Sequence, residues 1–142
     1  MMKTKVIYSG ILPPKGFIAM SLWPFIFVRK DKAARYKSET DNHEHIHAAQ
    51  QQEMFFLGLV FTPFFYPIIK AWAMFFVVIF FLWYGVEFLV RLGIYGSMHD
   101  AYRNIAFERE AYENDDNLEY LKTRRRFAWV RYLCHRTTRL IV

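Results

Sequence analysis

The chain has 142 residues, 54% of them hydrophobic and 20% aromatic, with a formal net charge of +6. That length favours one domain over 1–142, and the single cysteine, Cys134, excludes an intramolecular disulfide and fits a reducing compartment. A soluble core of this size cannot cover so much aromatic surface, so the apolar residues must be segregated into a membrane-associated part.

Residues 1–30 read as a short β-hairpin. Lys5-Val6-Ile7-Tyr8 is a strand candidate, Pro13-Pro14-Lys15-Gly16 is turn chemistry, and Phe17 to Val28 is apolar, with Pro24 forbidding a regular central strand or helix there. Val6 to Leu12, interrupted by Ser9 and Gly10, is not a convincing signal peptide. Lys30 to Lys37 is a solvated connection. Asp41 or Asn42 offers a cap for a helix over 40–53 that carries His43-Glu44-His45-Ile46-His47 in its first turns.

Met54 to Val86 contains one charge, Lys70. As a single helix it would be about 50 Å long, against a hydrocarbon core of about 30 Å. Pro63 and Pro67 instead suggest a membrane hairpin over 54–92, with passes at about 54–67 and 71–92 that reverse at Pro67-Ile68-Ile69-Lys70. Trp72, Trp83 and Tyr84 would serve as interfacial aromatics and Lys70 would snorkel. Cations flank both sides, Arg29, Lys30, Lys32, Arg35 and Lys37 before it and Arg91, Arg103 and Arg109 after it. Both flanks are therefore expected on the cytoplasmic face of a membrane. Within the second pass, Glu87 and Arg91 stand four apart and read as an interfacial ion pair.

A second polar helix is expected over 97–114, ended by Asp115-Asp116-Asn117, and a basic amphipathic helix over 118–134. The latter belongs to a tail rich in arginine (Arg124, Arg125, Arg126, Arg131, Arg136, Arg139) that suits anionic lipid. No nucleic-acid motif accompanies it, so nucleic acid is not an expected partner. The fold class is thus mainly α: a membrane hairpin between two metal-site helices, preceded by the β-hairpin and followed by the basic helix.

The chemistry lies in His43-Glu44-x-x-His47. Residues four apart share a helical face, so both imidazoles can reach one Zn²⁺ while Glu44, beside the first ligand, serves as base toward a water. A third ligand must come from the other side of the hairpin. Asp100, Asn104, Glu108 and Tyr112 line one face of the second helix, which makes Glu108 the leading candidate. Glu110, the runner-up, is rotated by about 200° and cannot share a metal with Glu108. Glu113 and His99 are weaker candidates. His45 points away from the metal face, Gln51 can reach the edge of the site, and Tyr112 or Asn104 is placed to donate a hydrogen bond to His43 or to an oxyanion.

The motif pair resembles the two-helix core of gluzincin zinc metallopeptidases, both the thermolysin-like and the membrane-bound prenyl-protease types. Their second motif, Glu-x-x-(Ala or Ser)-Asp, falls here on Glu108-Arg109-Glu110-Ala111-Tyr112, with Tyr112 in place of the Asp. The chain is also similar to small bacterial membrane proteins with Asn-His-Glu-x-x-His and a later Tyr-Arg-Asn-x-x-Phe-Glu-Arg-Glu-Ala-Tyr, here Asn42 to His47 and Tyr102 to Tyr112. The resemblance implies zinc on His43, His47 and Glu108, catalysis by Glu44 with Tyr112, and a peptide or protein substrate. It also implies a bacterial inner-membrane location with the site toward the cytoplasm. A non-catalytic membrane protein or assembly subunit that retains the metal is the alternative, and the chain's small size permits homo-oligomers.

Overall fold

The computed structural model describes residues 3–65 and 72–134, with the side chains of 62–65 and 72–78 left aside. It is mainly α, with a short mixed sheet at the N-terminal end.

Three strands, not two, form the sheet: β1 (Lys5–Ser9), β2 (Ala19–Leu22) and β3 (Phe25–Arg29), in the order β1-β3-β2. The expected hairpin, with Lys5 to Tyr8 turning back at Pro13 to Gly16, does not form: the antiparallel pair is β2 with β3, Ser21 opposite Ile26, because Pro24 splits the second apolar run and lies in the turn between them. β1 pairs parallel to β3, with Val6 opposite Ile26. Alternation along β3 turns Ile26 and Val28 into a small core with Ala19, Val6 and Tyr36. Arg29, expected among the flanking cations, is buried: it pairs with Asp31 and donates to the Pro13 carbonyl.

A 3-10 turn over Lys30–Arg35 leads into α1 (Ser38–Phe65), a single helix of 28 residues. The expected 40–53 helix and first hydrophobic pass are therefore continuous. Asp41 and Asn42 do not cap it, because the helix starts earlier and the Asp41 N–H already bonds to the Lys37 carbonyl. The Asn42 amide instead donates to the carbonyls of Asn114, Asp115 and Asn117, binding the start of α1 to the chain more than 70 residues on.

α2 (Trp72–Tyr95) packs against α1. The expected reversal at Pro67 to Lys70 lies outside the described residues. Among the described residues, no helix is long and apolar enough to cross a membrane. Glu87 and Arg91 pair as expected, but they face inward, not toward an interface: Arg91 also donates to the Leu133 carbonyl, and Glu87 accepts the Ala106 N–H at 2.9 Å. That last bond divides the expected 97–114 helix. α3 (Met98–Arg103), capped by Ser97, ends at Asn104, and α4 (Ala106–Asn114) starts afresh with its first N–H held by a buried carboxylate. Arg109 too is turned inward, donating to the Tyr132 carbonyl. The larger core joins these elements through Met54, Phe80, Ile105, Phe107 and Trp129, with Phe107 stacked on Phe80 at 4.6 Å.

The expected basic helix over 118–134 is broken. α5 (Tyr120–Thr123) stops at Arg124, which is extended; Phe127 is left-handed; and a 3-10 turn at Ala128–Val130 precedes α6 (Arg131–Cys134). The break follows from Arg124, whose guanidinium turns inward to pair with Glu110 (2.6 Å) and Glu53. Arg124→Met should therefore cost about 3–5 kcal/mol, since it strands two buried carboxylates. Urea unfolding of the full chain checks this, and adding Glu110→Gln should recover part of the loss.

Candidate metal centre

His43 and His47 stand one turn apart on α1, and their Nε2 atoms face each other 3.1 Å apart. α4 brings Glu108 against both. One carboxylate oxygen is 3.3 Å from His47 Nε2, and Oε2 is 3.7 Å from His43 Nε2. Ligands of a tetrahedral zinc at about 2.0–2.1 Å stand roughly 3.3 Å apart, so the cluster has the spacing of a metal's ligand set. All three side chains are nearly covered, and Glu108 Oε2 is buried with no hydrogen-bond partner. An orphaned carboxylate oxygen between two imidazoles is the chemistry that a divalent cation satisfies. His43, His47 and Glu108 thus form a buried group that could hold a metal.

The surrounding residues fix these groups in place. Gln50 is fully buried, and its amide nitrogen donates to the Phe107 carbonyl and to Glu110. Its oxygen must then accept from His47 Nδ1, 2.8 Å away. That assignment puts the His47 proton on Nδ1 and leaves the Nε2 lone pair aimed at the cluster. Asp115 faces His43 Nδ1 at 3.8 Å and Tyr84 donates to Glu108 Oε1 at 2.8 Å. Tyr112 packs edge-on against His43 at 4.7 Å, and the Arg103 guanidinium sits 4.2 Å over the Tyr112 ring. Burial and the Glu108 charge raise Tyr102 and Tyr112, so both phenols remain protonated beside the carboxylate.

Charge is tightly coupled here. Burial alone would raise Glu108, but His47 and His43 outweigh it and hold the carboxyl well below its usual range. Burial alone would lower His47, yet Glu108 and Glu44 push it up to about 9. Glu44, also buried, is raised chiefly by desolvation against the opposing pull of His47 and His43, and its neighbour across the gap is the Ser21 backbone.

The remaining sequence candidates lie elsewhere. Glu110 is fully buried but belongs to Arg124, Tyr120 and Gln50. Glu113 and His99 are exposed. Asn104 ends α3 and donates to the Asp100 carbonyl, and exposed Asp100 stays with it. His45 points away, toward Asp41. Gln51 reaches β2 instead of the metal group: it accepts from Trp23 N–H at 2.7 Å and donates to the Ser21 carbonyl at 2.9 Å. These bonds occupy backbone groups of β2 and of the turn that follows it, at the edge of the sheet. Sequence reasoning missed Gln50, Asp115 and Tyr84. Gln50 alone carried a local signal, at i+3 from His47. Tyr84 was expected in an interfacial belt, and its role depends on the packing of α2 on α4.

Compared with models of known families, with curated proteins and with solved structures, the chain matches none.

Because His47 is raised from 6.5 to about 9, its protonation stabilises the metal-free fold fully below pH 6.5, and that contribution is lost as pH rises through about 9. A metal must displace this proton. Zinc affinity, measured by competition with a chelating dye, should rise about tenfold per pH unit between pH 6.5 and 9 and flatten above.

Proposed function

We propose that this chain is a membrane-embedded, zinc-dependent peptidase-like protein. Its metal is held by His43, His47 and Glu108, and Glu44 is its general base. The observation that carries the reading is the convergence of two imidazole nitrogens and an unpartnered buried carboxylate oxygen from helices separated by the hydrophobic segment.

When bound, zinc would lower the pKa of a water and polarise a carbonyl. The rest is the work of the chain. Glu44, whose carboxyl is raised by burial, is a stronger base than a solvated glutamate, so it can take a proton from water and return it to the leaving amine. Gln50 keeps His47 in the ligating tautomer, and Asp115 takes the orienting position toward His43. Tyr112, protonated and against His43, is the candidate donor to a developing oxyanion.

Membrane embedding is supported by the inverted character of α2. Its charged residues, Glu87 and Arg91, are turned into the protein, while Leu82, Val86, Leu89, Val90 and Ile94 are exposed. Phe56, Val60 and Phe61 of α1 extend this apolar surface. Lys30, Lys32 and Lys37 on the near flank support a bacterial inner membrane as its location, with the metal group toward the cytoplasm. Lipid, a peptide or protein substrate, and a second copy on the apolar surface are the partners this implies.

A non-catalytic metal-bearing membrane protein is the second reading, favoured by the occupation of the β2 edge by Gln51. Two histidines and a carboxylate also suit Fe²⁺, so the metal's identity is itself a measurement.

Elemental analysis of the detergent-purified chain should find one metal per chain, and His47→Ala should lose it. Glu44→Gln should retain the metal while hydrolysis of a peptide library falls by about 10²–10⁴. Metal without hydrolysis in the unmutated chain would establish the second reading, and no metal in either protein would remove both.

A further inference from the structure

The segment after Arg124 carries a feature that the metal centre does not use. Glu53 accepts from Arg124 through both carboxylate oxygens and from the Phe127 N–H on Oε1 at 2.9 Å, so one carboxylate shapes the whole turn. Within that turn Phe127 has φ 55°, a left-handed conformation that bulky residues rarely adopt, and its ring is left exposed. Burying Arg124 turns its neighbours outward: Arg125 and Arg126 are exposed, as is Arg131 beyond the 3-10 turn. Among the described residues none of these three forms an ion pair, whereas nearby Lys122 pairs with Glu119.

The turn is fixed to the apolar surface. Trp129 is buried behind Phe127 and packs on Phe107 at 4.7 Å and on Trp83 at 5.7 Å. Trp83 is on α2 beside exposed Leu82 and Val86. An exposed aromatic, exposed Val130 and three arginines without an ion pair among the described residues thus adjoin the exposed apolar face of α2. The interfacial layer of an anionic bilayer accommodates both the exposed ring and the charges that this turn presents.

We propose that Arg125, Arg126, Phe127, Val130 and Arg131 form a docking surface for anionic phospholipid headgroups, with Phe127 and Val130 entering the interfacial layer. The inference rests on the membrane part of the reading above and is independent of the metal. It gives the arginine-rich tail a specific contact in place of a continuous amphipathic helix.

The test uses the full chain with Cys134→Ser and an environment-sensitive dye on Phe127→Cys, and in parallel on Val130→Cys. Flotation with phosphatidylcholine vesicles first tests the membrane reading by itself. Short-chain phosphatidylglycerol is then titrated into protein held in neutral micelles. The dye emission should shift to the blue, and added salt should weaken the response. Arg125→Gln with Arg126→Gln should raise the lipid concentration at half-shift roughly twenty-five-fold, about fivefold per arginine. Failure to float overturns both the membrane reading and this inference. Flotation with no dye response, or a response that both arginine substitutions leave intact, overturns the docking surface alone. So does a blue shift produced only by an oligonucleotide, or one that disappears on dilution as a second copy dissociates.

Discussion

A wholly buried side-chain amide organises the interior. Gln50 cannot face water, so each end of its amide must find a partner, and those partners belong to two different charge systems. Its oxygen takes the His47 proton, and its nitrogen bonds to Glu110 and to the Phe107 carbonyl. On one side lies the group His43, His47 and Glu108; on the other lies Arg124 between Glu53 and Glu110. α4 therefore carries two buried carboxylates, two residues apart and pointing opposite ways, each requiring its own positive charge. Arg124 supplies one permanently. The other is supplied by a proton on His47 or by a metal, and that difference makes one half of the interface structural and the other half chemical.

The same economy explains α2. Three of its polar side chains act inward: Tyr84 on Glu108, Glu87 on the first N–H of α4, and Arg91 on Glu87 and the Leu133 carbonyl. α4 is thus held at its N-terminus and at Glu108 by the most apolar of the described helices, through hydrogen bonds that water would weaken. An outer face of Leu82, Val86, Leu89 and Val90 keeps water from those bonds on the far side. Hydrophobic surface outside and polar anchoring inside are two parts of one device, which positions a carboxylate.

Much of the metal group was legible because its parts are local. His43 and His47 share a face by spacing alone. The rotation between Glu108 and Glu110 separated the carboxylate that meets the two histidines from the one that does not. What was not legible depends on partners distant in the chain. Nothing in Arg124-Arg125-Arg126 marks the first arginine as buried; only Glu53 and Glu110 do. No glycine or proline announces the break at Asn104-Ile105, because it is made by Glu87, 19 residues earlier. The parallel pairing of β1 with β3 likewise has no local signal, since register within one short strand says nothing of its neighbour. Asn42 was read as a cap from its residue type, and it served three distant carbonyls instead.

The approach to the metal group follows from what encloses it. Glu44 and the Ser21 backbone close the β2 side, Glu108 the α4 side, and Tyr84 the α2 side. Gln51 already occupies Ser21 and Trp23, so a peptide cannot extend the sheet there without displacing two good bonds from a side-chain amide. His43, Tyr112 and Asp115 line the remaining side, the last partly exposed, and the Arg103 guanidinium sits over the Tyr112 ring.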